Sequence, residues 1–82
     1  MDLDHAADEH RDALARVDEI KKANAERLAE ARKRVEKTRA ALGAAIVEEY
    51  LRNGRVGDLA LRAGYSRETV RVILRNAGID PD

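Results

Sequence analysis

The chain has no cysteine, phenylalanine or tryptophan, one proline in 82 residues, and two tyrosines as its only aromatics. Without cysteine there is no disulfide framework and no thiolate-ligated zinc, and a reducing compartment suits the sequence. Two aromatic rings cannot organise a globule around aromatic packing, so a mainly helical molecule is expected. The longest apolar stretch, residues 40 to 47 with Gly43 inside it, falls far short of the ~20 residues a membrane span needs. The acidic start also lacks the basic opening of a signal peptide, so the chain reads as soluble and cytoplasmic, with no membrane partner. Glycines stand scattered at 43, 54, 57, 64 and 78, which excludes a glycine-rich phosphate loop.

What is present is charge, and it is unevenly placed. Sixteen bases balance sixteen acids, yet residues 1 to 26 hold eight acids against four bases and residues 27 to 39 hold six bases against two acids. From Arg52 to Arg75 six arginines face only Asp58 and Glu68. A neutral total therefore hides one acidic region and two basic ones. The bases of the last segment are all arginine, whose planar fork grips a phosphate or a guanine edge in two places where lysine offers a point charge.

From Asp4 to Arg52 nothing stops a helix. Proline is missing, Gly43 is the only glycine, and alanine, glutamate, arginine, lysine and leucine dominate. One long helix is expected, loosened near Gly43. Leu14, Lys21, Leu28, Val35 and Leu42 share one heptad position, and Val17, Asn24, Ala31, Thr38 and Ala45 share its partner, with Leu3, Ala7 and His10 extending the seam backwards. This spacing predicts a coiled coil over residues 1 to 45, interrupted by polar residues that set register more than they stabilise. Its oligomerisation residues are Leu14, Val17, Leu28, Ala31, Val35 and Leu42. A homodimer is the simplest product. In a parallel pair Arg27 would face Arg32 and Arg34 would face Arg39, whereas an antiparallel pair brings Asp18 towards Arg32 or Arg39, so the charge pattern favours antiparallel chains. Surface pairs of this kind contribute only about 0 to 1 kcal/mol each.

Residues 40 to 82 read as a second region. Leu42, Ile46, Val47, Tyr50 and Leu51 make an apolar stripe at the end of the long helix, and Asn53-Gly54 supplies a left-handed stop. Leu59, Ala60 and Ala63 then mark the inner face of a short helix, Gly64 a left-handed turn, Ser66 the cap of a further helix, and Val70, Ile73 and Leu74 its inner face. Arg67, Glu68, Arg71, Val72 and Arg75 are left outside.

Residues 46 to 76, a little over a third of the chain, resemble the trihelical helix-turn-helix of bacterial repressors, resolvases and sigma-factor carboxy-terminal domains. In that pattern a small residue lies within the first helix, a glycine follows four positions later, and an apolar residue comes six after the glycine; Ala60, Gly64 and Val70 match in turn. Arg55 departs from it, standing where serine or threonine usually caps, and Gly57 weakens the first turn. The resemblance implies a small helix-turn-helix with its last helix in the major groove of double-stranded DNA; with the heptad seam before it, the expected fold is all-α, a long coiled-coil helix running into that helix-turn-helix. Arg67 and Arg71 would then read bases while Arg75 and Arg55 hold phosphate, with Ser66, Glu68 and Val72 on the same face. A nucleoid-associated, dimeric transcriptional regulator or a phage or plasmid accessory factor is the expected function. The alternative is an interaction module whose long helix binds a polymerase, a sigma subunit or another protein.

Catalysis and cofactors find no support in these residues. His5 and His10 are five apart, on different sides of a helix, so no metal site is expected there. Ser66 has no histidine near it in sequence and reads as a cap, not a nucleophile. Tyr50 and Tyr65 read as core residues with bonded hydroxyls, because single-strand binding needs several stacking platforms.

Overall fold

The computed structural model describes residues 2 to 81 and is all-α, with no strand among the described residues. Helix α1 runs over Leu3–Leu51, α2 over Val56–Ala63 and α3 over Arg67–Asn76. Contacts within the chain divide it into two units, one ending at Arg34 and one beginning at Val35.

The first unit is a single helix. Asp2 begins it: its Oδ1 accepts from the His5 backbone N–H at 2.7 Å, satisfying one of the donors that every helix start leaves open. Pairs three apart line its surface, Arg11 with Asp8 at 3.1 Å and Arg16 with Glu19 at 3.3 Å. Such pairs add a few tenths of a kcal/mol each, roughly 0.2 to 0.5, so good helix formers set this helix more than ion pairs do. Leu14, Val17, Ile20 and Leu28 stay between 45% and 55% exposed.

The second unit has a core. Ile46 from α1, Leu59 and Ala60 from α2, and Val70 and Leu74 from α3 are buried, with Leu42, Val47, Tyr50, Val56, Ala63, Tyr65, Ile73 and Ile79 packed around them. Val70 and Leu74 have no exposed surface, and burying a side chain of this size stabilises by about 1.5 to 3 kcal/mol. Few such residues are available, which makes each of them count in so small a unit.

Each helix end in this unit is closed the same way. After α1 the Gly54 N–H donates to Glu49 O at 2.9 Å and Asn53, with φ 77°, takes the left-handed position. After α2 the Tyr65 N–H donates to Ala60 O at 2.9 Å across Gly64 at φ 74°, and after α3 the Ile79 N–H donates to Leu74 O at 2.9 Å across Gly78 at φ 82°. These bonds satisfy carbonyls the helices leave free and turn Tyr65 and Ile79 back onto the core.

Three expectations are corrected. Helix α1 runs through Gly43 without a break, because alanines on both sides outweigh a cost of about 1 kcal/mol for one glycine. Leu51 is 68% exposed and not part of the core stripe; five residues beyond Ile46, it is turned roughly 140° from that buried side chain. Tyr50 and Tyr65 pack on the core as expected, but neither hydroxyl bonds to another protein group among the described residues.

Candidate nucleic-acid interface

Helix α3 is held from both its start and its inner face. Ser66 Oγ accepts from the Thr69 backbone N–H at 3.1 Å and lies 2.9 Å from Thr69 Oγ1, so its hydroxyl is committed to capping. Val70 and Leu74, one turn apart, are sealed in the core. That anchoring leaves Glu68, Val72 and Arg75 exposed and Arg71 half-buried on the outward side, with Arg67 exposed at the start of the helix. Glu68 in the first turn and Arg75 in the last complement the helix dipole.

The arginines differ in what already holds them. Arg52 pairs with Glu48 at 2.6 Å, and Arg62 lies 3.7 Å from Glu49 and 3.6 Å from Asp58. Arg71 and Arg75 both meet Glu68, at 3.7 and 2.7 Å. Arg55 and Arg67 make no ion pair among the described residues. Arg55 occupies the N-cap of α2 in an extended conformation with no side-chain bond to the helix, so its guanidinium is left for solvent or a ligand.

Arg67 does not stand straight out from α3. Its guanidinium lies against the first turn of α2: a methyl group on Gly57 would fall 3.2 Å from both Nε and Nη2 of Arg67. Gly57 therefore has a tertiary role beyond weakening a helix start. Its bare Cα makes room for the arginine, which brings Arg67 and Arg55 to the same end of α2.

The candidate residues of the long helix fall into two kinds. Leu14, Val17, Leu28, Ala31 and Val35 are exposed, and the structure adds Ile20 to them. Leu42 is instead partly buried against the Ile46 cluster, which occupies it within its own chain. The signal for Ile20 was in the sequence, three residues from Val17 and eight from Leu28, but a strict heptad skips it. The Arg67 and Gly57 contact had no such signal, since it joins two helices. Glu68 lies three residues before Arg71 and seven before Arg75, a spacing that places all three on one side of a helix.

Among the described residues, no three His, Cys, Asp or Glu side chains come together so as to hold a metal ion, and no helix is long and apolar enough to cross a membrane. Comparison with protein-family models, curated proteins and solved structures finds no match.

Proposed function

We propose that the chain is a sequence-specific DNA-binding protein that lays the outward face of α3 in the major groove and pairs with a second copy through α1. The observation that carries the reading is the two-sided character of α3, whose Val70 and Leu74 are fully buried while Arg71 and Arg75 lie to its outward side and Arg67 is exposed at its start. A helix clamped on one face presents the other in a fixed direction, which base readout needs. Arg71 and Arg67 are the candidates for base edges, and Arg55 and Arg75 for phosphates. Val72, 42% exposed, offers an apolar contact of the kind a thymine methyl accepts. The resemblance to trihelical helix-turn-helix domains supports the same assignment, and the half-exposed Leu14, Val17, Ile20 and Leu28 support pairing through α1. The chain is read as a binding protein with no catalytic step of its own.

A salt titration of binding to random-sequence duplex DNA tests the reading. Affinity should fall steeply with added salt, with a logarithmic slope of about −0.9 per phosphate contacted, and Arg55→Ala should make that slope shallower by about one contact. No binding at low salt would sink it. The reading then favoured is an interaction module, because the same four apolar residues on α1 suit a helix of another protein.

A further inference from the structure

On the outward face of α3 one acid holds two bases. Glu68 Oε1 accepts from Arg75 Nη2 at 2.7 Å across two helical turns, and Glu68 Oε2 lies 3.7 Å from Arg71 Nη1. The carboxylate thereby lays both guanidinium groups along the helix axis and cancels part of the charge they present. We infer that Glu68 is a specificity-determining residue, which withholds Arg71 and Arg75 from arbitrary phosphates until Arg71 meets a matching base edge. The inference rests on the DNA-binding reading above.

The physical argument is one of exchange. Attraction to phosphate is independent of sequence and supplies nearly all non-specific binding. An arginine already bonded to a carboxylate gains little by trading it for one phosphate, since one anionic partner replaces another. A guanine edge offers two acceptors to a single guanidinium, so a matching sequence returns more than it takes. The restraint thus weakens binding to every sequence and is recovered only on the right one. All three side chains are at least one-third exposed, so the expected effect is several-fold rather than many orders of magnitude.

The test uses the full chain, a duplex selected by the unmutated protein from a random pool, and a scrambled duplex of equal length, with fluorescence anisotropy over a series of potassium chloride concentrations. Glu68→Gln should raise affinity for the scrambled duplex by about two- to tenfold, steepen its salt dependence by about one counterion, and lower the ratio between the two duplexes. Glu68→Asp keeps the charge on a shorter arm that reaches Arg71 better than Arg75, and should fall between the two. Unchanged scrambled-duplex affinity and salt slope in Glu68→Gln would overturn the inference while leaving DNA binding intact. So would a lower unfolding temperature with an unmoved ratio, which marks a purely structural pair. Loss confined to one base pair of the selected duplex would overturn it too, making Glu68 a direct reader. If the unmutated chain binds neither duplex, the DNA-binding reading fails and this inference falls with it.

Discussion

At the scale of single residues, backbone conformation separates positions that look alike in sequence. Gly64 has φ 74° and nothing within 4 Å of a built Cβ, so a side chain there meets strain and no clash. Gly64→Ala should therefore destabilise by about 1 to 2 kcal/mol, read as a fall in thermal midpoint of roughly 4 to 8 °C per kcal/mol. Gly54 is the opposite case, where the constraint is space: a Cβ would lie 2.7 Å from Glu49 O, a backbone atom that cannot swing aside. Ser66 does local work at the start of α3, and Ser66→Ala should cost about 1 kcal/mol by removing the bond to Thr69 N–H. Urea unfolding of that variant would show a lower midpoint and an unchanged slope if the cap is all that is lost.

At the scale of elements, the Ile73 side chain of α3 reaches across to Gly43 on α1. A methyl group on Gly43 would sit 3.8 Å from Ile73 Cγ2, an ordinary contact, inside a continuous helix. Gly43→Ala should stabilise the chain by about 0.5 to 1 kcal/mol through the lower entropy of its unfolded state. A lower thermal midpoint would mean that α1 and α3 lie closer than they do here. The start of α2 behaves otherwise. Gly57→Ala also favours a helix, but the added methyl lies 3.2 Å from the Arg67 guanidinium and must push it away. Stability should hold or rise while Arg67 is displaced, and the measurement that separates the two is affinity for a selected duplex beside a melting curve.

At the scale of the whole molecule, α1 leaves a row of apolar residues exposed along its length. Leu28 and Val35 are each 51% exposed, so charges placed there should leave the single chain folded. If the chain pairs through α1 as proposed, Leu28→Asp with Val35→Asp should turn that dimer into a monomer in sedimentation, because an unpaired carboxylate in an apolar seam is costly. On the proposed reading, in which two paired chains each contact DNA, affinity should then fall by roughly 10²-fold at fixed salt as the second contact loses its tether to the first. Equal affinity in the double variant would assign these residues to a different partner.

Much of this architecture was legible in the sequence because it depends on local causes. The long helix follows from a run without proline, the turn after α2 from Gly64, the cap of α3 from Ser66, and the buried face of α3 from the spacing of Val70 and Leu74. The outward set Glu68, Arg71, Val72 and Arg75 follows from the same period of about 3.6 residues, whereas Arg67, two turns before Leu74, shares the inner face and is exposed only at the start of α3. Only the tertiary structure could decide which arginines are free and where they lie. Arg67 rests on Gly57 ten residues earlier, Arg62 meets Glu49 on a different helix, and Leu42 turns to the core and not to a seam. Periodicity assigns a side chain to one face of its own helix, but what that face meets depends on how the helices pack.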